Sequence, residues 1–431
     1  MVQGIAEHAL SECHLLPFPG QVFIGDNMTS LLRKAIAATA VVWPLTSPAG
    51  GLYLYEIGTS DLGFSAAGTA ARAEDASTLF ANPAGMTRLA GDQMTLGAQA
   101  LYGGVEYELD GQGALAGSDP GNVIGWFPGG SAFYSHSVSD RLKVGIGAYG
   151  NFGLAMDFGD SWAGKNLVGE MALIAMTIQP AVAYRLDDHW SLGAGLTANY
   201  GYFKLEREPL NGDTRSQDDG DWDFGARLGV LYEPTPSTRV GLTWVSEAEY
   251  EFDVDGTVTI GPIGPIGPIT HTFPLAAITA PQQVMGSVYH RLNDRWAVMG
   301  NLGWQDWSEF AEATLETDNL GTVTSSMMLQ DTWHAAFGVQ YTLDEKTRLN
   351  AGVAFHTSMY EDQSQSSFTI PSGETWRLGA GMQVALSPQS DIGVAVEYVD
   401  SEENASPSAL VSGSYVDPTM VFMSVHYSHR F

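Results

Sequence analysis

Basic residues and cysteine are both scarce in this 431-residue chain. Lys and Arg number 19 against 49 Asp and Glu, which gives a formal net charge of −30. Because phosphate binding requires a basic surface, no nucleic-acid partner is expected. The single cysteine, Cys13, excludes a disulfide framework and a cysteine-based metal site, and we expect neither a metal nor a cofactor. No apolar run reaches the roughly 18 residues that a membrane-spanning helix needs.

One short apolar run near the N-terminus predicts a secretory signal. It spans 35–42, follows Arg33-Lys34 and is succeeded by Ser47-Pro48-Ala49. A basic start, a short apolar segment and a small-x-small site are the features of a signal peptide. We take Met28 as its start, which leaves 1–27 as an upstream leader, and we predict cleavage after Ala49 and export of the remaining chain.

Beyond residue 92 the chain alternates between apolar and polar or tiny side chains. In 190–202 the apolar face carries Trp190, Leu192 and Leu196, and 376–386 repeats the pattern. Successive side chains of a strand point to opposite faces, so these segments are predicted strands with one apolar face. Strands of about ten residues cross a bilayer at a tilt, and aromatic residues at their ends lie at the membrane interface. The aromatic residues in such positions are Trp190, Trp296, Trp304, Trp376, Tyr184, Tyr232 and Tyr398. A membrane barrel is therefore favoured over a soluble sandwich.

Short polar turns alternate with long connections along the same region. The turns are centred at Asp140, Asp188, Pro236, Asp294, Glu345 and Gln389. Six short turns and seven long connections delimit 14 strands, and short turns on one side with an even strand number are typical of outer-membrane barrels. We expect these turns at one rim and Gly264 at the other. The last strand ends at Phe431 and must pair with the first, because an open edge in lipid leaves backbone groups unsatisfied.

The segment 50–92 precedes these strands and does not alternate. It is rich in Gly and Ala and contains 53–58, 71–76 and, above all, Asn82-Pro83-Ala84-Gly85-Met86. In these residues the stretch resembles the N-terminal hatch of the FadL family, outer-membrane transporters of long-chain fatty acids and other hydrophobic compounds. We therefore divide the chain into a leader and signal peptide (1–49), a hatch domain (50–92) and an all-β, antiparallel transmembrane barrel (93–431).

The resemblance implies a hatch inside the lumen and a lateral exit beside a kinked third strand. Strand three is predicted at 143–153, and its candidates for the gap are Gly150, Asn151, Phe152 and Gly153. Glycines in a strand can support a kink or bulge, but they can also make room for a hatch, and both interpretations stay open. The hatch motif, Asn82, Pro83 and Ala84, is expected to pack against the barrel wall.

Two arginines, Arg227 and Arg377, fall on the inward face of predicted strands. One hypothesis is that they hold the carboxylate of a fatty acid. The other is that they pair with Glu74 or Asp75 of the hatch or with acids of the lumen, since buried charges need partners.

Two apparent nucleotide-binding motifs do not support an enzyme. Gly145-x-Gly147-x-x-Gly150 has no crossover helix after it, and Gly159-x4-Gly164-Lys165 is followed by Asn166 instead of Ser or Thr. The histidines are scattered singly, so we predict no catalytic residue.

The sequence thus predicts an outer-membrane channel for passive uptake of hydrophobic molecules such as long-chain fatty acids. A general porin for small polar solutes, an aromatic-hydrocarbon channel, and a barrel enzyme or adhesin are the alternatives. Expected partners are fatty acids or hydrocarbons, outer-membrane lipid, lipopolysaccharide and the barrel-assembly machinery, and the expected state is a monomer.

Overall fold

A computed structural model describes residues 53–431 with short gaps. Left undescribed within this range are 56, 114, 116, 209–213, 254, 261–268, 275–277, 309, 311, 318–320, 327–328, 363–365 and 407–409. The predicted leader, its start at Met28, cleavage after Ala49 and the placement of Gly264 lie outside the described residues.

Fourteen antiparallel strands form a closed barrel, as the sequence predicts. They are β1 (Gln93–Leu109), β2 (Gly125–Ser137), β3 (Leu142–Asp157), β4 (Glu170–Arg185), β5 (Trp190–Arg207), β6 (Arg215–Thr235), β7 (Thr238–Val245), β8 (Gln283–Arg291), β9 (Trp296–Gln305), β10 (Thr332–Thr342), β11 (Thr347–His356), β12 (Thr375–Ala385), β13 (Ser390–Ser401) and β14 (Gly413–Arg430). Each strand pairs with the next, and β14 pairs with β1 from Gln93↔Arg430 onward. Closure leaves no sheet edge for lipid to cover.

The predicted alternation also assigns the two faces correctly. Trp190, Leu196 and Trp376 are 43%, 69% and 54% exposed on the outer surface, whereas Arg227 and Arg377 are buried on the inner one. Phe431 is 64% exposed beside the closing strand. The outer face is therefore the apolar one, as contact with lipid requires.

All six predicted short turns are present and lie on one side of the barrel. Their carboxylate, amide and hydroxyl oxygens accept backbone N–H groups, which is how Asp, Asn and Ser stabilise turns. The Asp187 carboxylate accepts from the N–H groups of His189 and Trp190, both at 2.8 Å. These two bonds lower the pKa of Asp187 below its ordinary value.

The strands differ in length around the barrel. β3 to β6 have 16 to 21 residues, whereas β7 to β12 have 8 to 11. The expected length of about ten residues was wrong for the first group and also for β1 and β14, which have 17 and 18 residues, because these strands continue pairing into the long connections. Further short strands in these connections are Gly121–Asn122, Ala248–Tyr250, Asp255–Ile260, Ile269–Pro274, Ile278–Ala280, Glu312–Thr317, Gly321–Ser326 and Asn404–Ser406.

The described part of the N-terminal segment lies inside the barrel and ends where β1 begins. It is folded into four short helical pieces, Ser60–Phe64, Thr69–Arg72, Thr78–Ala81 and Pro83–Arg88. Every residue of the first three pieces is buried. No helix of the described chain has both the length and the apolarity to span a membrane. We call residues 53–92 the hatch.

Candidate functional site

The hatch motif fixes the hatch to the barrel wall. The Asn82 amide donates to the carbonyl oxygens of Ala70 (2.8 Å) and of Val230 in β6 (3.0 Å). Its Oδ1 accepts from the N–H of Ala84 at 3.0 Å, across the bend at Pro83. Asn82 is fully buried, so these bonds satisfy an amide that water cannot reach. The structure thus places the motif against the wall.

Inward-facing glycines let the hatch backbone approach the wall closely. A Cβ at Gly241 would collide with the Ala70 carbonyl, and one at Gly352 would collide with the Phe64 carbonyl. A side chain at Gly229 would overlap the Asn82 side chain. At these positions the need for space explains the glycine.

Polar side chains of the wall form hydrogen bonds with backbone groups of the hatch. Arg239 of β7 donates to the Ala71 and Arg72 carbonyls at 2.8 and 2.7 Å. Gln179 of β4 donates to the Leu79 carbonyl at 3.0 Å, and the Asn301 amide of β9 accepts from the Gly68 N–H at 2.6 Å. These bonds come from separate parts of the barrel, so the hatch is attached around its circumference.

The hatch also contains a buried ion pair. Arg72 and Asp61 are both nearly inaccessible and are joined by a 2.5 Å contact, with Glu74 3.8 Å from Arg72. Glu74 lies 3.5 Å from Arg348 of β11. The arginines found beside Asp61 and Glu74 are therefore Arg72 and Arg348.

The lumen changes from polar to apolar along single strands. In β1 the inward side chains begin with Gln93 and Thr95 and continue with Leu101, Val105 and Tyr107. Val105 and Tyr107 belong to a large buried cluster on the side of the long connections. Its aromatic members are Tyr107, Phe152, Phe158, Trp162, Phe203, Tyr250, Phe252, Trp307, Phe310, Tyr360 and Tyr415. This half of the lumen offers a surface suited to a hydrophobic ligand.

The wall is interrupted between β2 and β3. The two strands pair from Ser137↔Lys143 to Ser131↔Tyr149, where their described pairing stops. β3 continues to pair with β4 as far as Asp157, but with a bulge between Gly150 and Phe152.

Beyond the bulge β3 stays paired with β4 but has no described pairing with β2. Phe152, Leu154, Ala155 and Met156 are all buried, so both faces of the strand are covered. Gly153 has φ 155°, a value that other residues rarely adopt. All four predicted gap residues thus lie at the bulge or directly after it, and Asn151 is the residue that the pairing with β4 skips.

The two sequence interpretations of the β3 glycines apply to different residues. A Cβ at Gly145 or Gly147 would press on Leu79 of the hatch, so those glycines make room. A Cβ at Gly150 would meet only the Ala175 carbonyl oxygen of β4, at 3.5 Å, among the described residues. Gly150 therefore belongs to the bulge and does not accommodate the hatch.

The first described residues of the hatch lie at this interruption. The Leu54 N–H donates to the carbonyl of Asn151 at 2.8 Å, and Tyr53 forms an isolated antiparallel bridge with Phe152. Leu54 also packs in a buried cluster with Leu101 of β1. The predicted gap residue Asn151 thus contacts the hatch through its backbone.

A narrow cavity adjoins the same place and contains Arg227. Tyr53, Phe152 and Tyr250 form apolar parts of its lining, and Arg227 is the one charged residue among those that line it. The Arg227 guanidinium lies 4.7 Å from the ring centroid of Phe80. Its Nε is buried and has no hydrogen-bond partner within the described chain.

Arg377 differs from Arg227 because it has an acidic partner. Its Nη1 lies 3.1 Å from Oε1 of Glu397 on β13, and Glu397 is fully buried. This geometry matches the hypothesis of pairing with an acid of the lumen. Glu397 was not among the candidate residues, although its inward position on a strand next to Arg377 was a usable signal.

The comparison with protein families settles the class of this barrel. Residues 40–412 match the model of the outer membrane protein transport proteins (OMPP1/FadL/TodX). The chain belongs to this family. It is accordingly an outer-membrane barrel protein of the kind found in Gram-negative bacteria, and the fold expected from the hatch resemblance is confirmed.

Two relatives in the OMPP1/FadL/TodX family cover most of the chain. The long-chain fatty acid transport protein of Salmonella typhi is 26% identical over 411 residues, which are 88% of this chain and 93% of the relative. Outer membrane protein P1 of Haemophilus influenzae is 27% identical over 415 residues, with 84% and 89% covered.

Solved structures show the same fold. A Pseudomonas aeruginosa FadL homologue superposes with a TM-score of 0.74 at 16% identity, covering 89% of this chain and all of that one. The toluene transporter TodX of P. putida gives 0.64 at 16% identity, covering 88% and 99%.

Proposed function

We propose that this protein is a channel for passive, diffusion-driven uptake of hydrophobic molecules such as long-chain fatty acids. The observation that carries the proposal is the apolar cluster of the lumen, which extends to the interruption between β2 and β3. A hydrophobic ligand gains free energy on leaving water for such a surface without any other energy source. The names of the relatives, a fatty acid transport protein among them, are consistent with this class of substrate.

The proposed route avoids the part of the hatch that Asn82 anchors. A ligand enters from the side of the long connections, passes along the apolar cluster and leaves sideways between β2 and β3 into the membrane. Tyr53 and Leu54 occupy this exit, so the ligand must displace them. This segment meets β3 through backbone contacts of Tyr53 and Leu54, whereas Asn82 holds its part of the hatch by side-chain hydrogen bonds to two carbonyl groups. We therefore expect the segment at the exit to move more easily.

Arg227 is proposed to bind the carboxylate of an acidic ligand. A buried guanidinium with an open donor favours an anion, and a carboxylate can accept from it. Arg377 is excluded from this role, because its partner Glu397 would repel a second carboxylate.

The general porin is disfavoured by the hatch. A porin needs a wet lumen, whereas the polar half of this lumen is filled and bonded to the wall at Asn82, Arg239 and Gln179. An aromatic-hydrocarbon channel stays an alternative, since a neutral ligand would use the apolar cluster without Arg227.

The remaining expectations stay proposals. The protein acts as a monomer embedded in outer-membrane lipid and lipopolysaccharide, with Phe431 presented to the barrel-assembly machinery. The hatch domain begins at Gly50 after removal of 1–49, which N-terminal sequencing of outer-membrane material tests.

The decisive experiment is uptake of labelled oleate and labelled toluene in a host lacking its own transporter. Uptake of oleate at a rate above that of the empty host supports the proposal, and uptake of small sugars alone supports the porin. Arg227→Met should lower oleate uptake and leave toluene uptake unchanged, while Arg227→Lys keeps the charge and should retain most oleate uptake. Equal effects of Arg227→Met on both ligands would refute the carboxylate role.

A further inference from the structure

The β2 side of the wall interruption contains a proline. Phe127-Pro128-Gly129-Gly130 lies in the stretch of β2 that is paired with β1 but has no described pairing with β3. Pro128 and Gly130 are exposed on the outer surface. Proline has no N–H, so it cannot donate to one of its two neighbouring strands.

The pairing of a second proline shows which neighbour is affected. Pro180 in β4 pairs with Ile146 of β3, but the pairing of β4 with β5 skips Gln179 and Pro180. In an antiparallel sheet the N–H and C=O of one residue point to the same neighbour, so the missing N–H of Pro180 faces β5.

Pro128 shows no such break on the β1 side. Its pairing with Ala100 is retained, as are the pairs before and after it. The missing N–H of Pro128 must therefore face the other side, toward β3, where the described pairing of the two strands has stopped.

We infer that Pro128 is a positioning residue that keeps the edge of β2 from pairing with β3 and so maintains the wall interruption. Beyond Ser131↔Tyr149, continued pairing would bring Gly129 opposite Asn151, and the absent donor at Pro128 removes one hydrogen bond from that alternative. The bulge in β3 ends its pairing with β2, and Pro128 keeps β2 from forming further hydrogen bonds to β3. This inference rests on the lateral exit proposed above.

The two strand edges at the interruption thus avoid pairing with each other in different ways. The β3 edge is occupied by Tyr53 and Leu54 of the hatch. The β2 edge has a residue that cannot donate, which is a known means of keeping strands from pairing. A ligand that displaces Tyr53 and Leu54 would therefore leave an opening that the two strands do not close.

The test restores the donor with Pro128→Ala. One regained hydrogen bond is expected to shift the wall toward the paired state about fivefold and to lower oleate uptake by a similar factor. Pro128→Val, which adds β propensity, should have the larger effect. Pro180→Ala is the matched control, because it restores a donor in a part of the wall where the strands are already adjacent.

The rate of disulfide formation between β2 and β3 measures directly how often the two strands are paired at the interruption. Gly129→Cys and Asn151→Cys would be cross-strand neighbours only if the wall were paired, and the described chain contains no cysteine of its own. Disulfide formation should be slow in this double variant, about fivefold faster after Pro128→Ala, and unchanged by Pro180→Ala. Equal rates for all three would overturn the inference. The disulfide result stands even if the chain takes up no oleate, a result that would instead contradict the proposed function.

Discussion

The two halves of the lumen are built from different chemistry. Along β5, inward Ser191 and Thr197 lie toward the short turns, while Phe203 and Leu205 lie toward the long connections. The polar half fixes the hatch through directional hydrogen bonds, such as the 2.8 Å bond between Thr87 and Ser191. The apolar half has no such specificity, because burial of apolar surface is non-directional. One half therefore holds a defined segment of the chain, and the other suits ligands of varied shape.

The largest effect is expected from breaking the polar half at Gly241. Gly241→Val would push a side chain into the Ala70 carbonyl and displace the hatch. Liposome swelling with small sugars should then rise by about tenfold, the equivalent of a displacement of 1–2 kcal/mol. Gly286→Val is the control, since a Cβ there has only an ordinary contact at 3.8 Å. A leak from both variants would show that any added bulk disturbs the barrel.

A smaller change of the same half is Asn82→Ala. It removes the bonds to Ala70 and Val230 and leaves buried carbonyl groups without them, at a cost of about 1–3 kcal/mol to hatch docking. Hydrophobic uptake should fall while the barrel still assembles and resists heat in detergent. If Asn82 only anchors the hatch, a leak to sugars should appear instead. Normal uptake with no leak would contradict both expectations.

The apolar half is broken by Phe152→Asn. Phe152 lies near Trp307, with ring centroids 6.4 Å apart, and an amide there would replace apolar ring surface that the proposed ligand contacts. Hydrophobic uptake should fall by about fivefold, equivalent to about 1 kcal/mol, without a sugar leak. Phe152→Leu keeps the site apolar and should retain most of the uptake. A sugar leak from Phe152→Asn would mean that the halves are not independent.

The smallest effect is expected at the Asp187 turn, which lies outside both halves of the lumen. The depressed pKa of Asp187 means that its charged form stabilises the folded barrel above the ordinary carboxyl pKa, and that this contribution is lost as pH falls through the lowered value. The heat resistance of the native chain should therefore exceed that of Asp187→Asn slightly at pH 7. The difference should begin to shrink as pH falls below about 4 and vanish below the lowered pKa of Asp187. A difference that grows in acid would have the wrong sign.

The sequence predicts the barrel well because its signals are local. Alternation assigns each strand two faces, and Asp187 and Asn293 mark turns through bonds to their own neighbours along the chain. The candidate site needs more, since the partners of Asn82 and Arg377 depend on strand register and on how the hatch lies. From the sequence, Gly241 can be predicted only as a small residue on the inner face. The structure shows why it is small: the Ala70 carbonyl lies where its Cβ would be.

The sequence predicts the interruption of the wall from β3 alone and not from β2. Gly150 and Gly153 pointed to a bulge in β3, which the structure contains. Pro128 on β2 carried an equally local signal, but its meaning depends on which neighbour its missing N–H faces. That direction follows from the observed pairing with β1.

The attachment of the hatch has a consequence for the order of folding. Asn82 bonds a carbonyl 148 residues later, Gly68 an amide 233 residues later and Ser65 a carbonyl 287 residues later. Contacts of such high sequence separation form late, because their loops close only after the intervening chain is ordered. The hatch is synthesised before every strand of the barrel, yet it is among the last parts of the described chain to reach its place, because its bonds to β11 can form only after β11 has joined the wall.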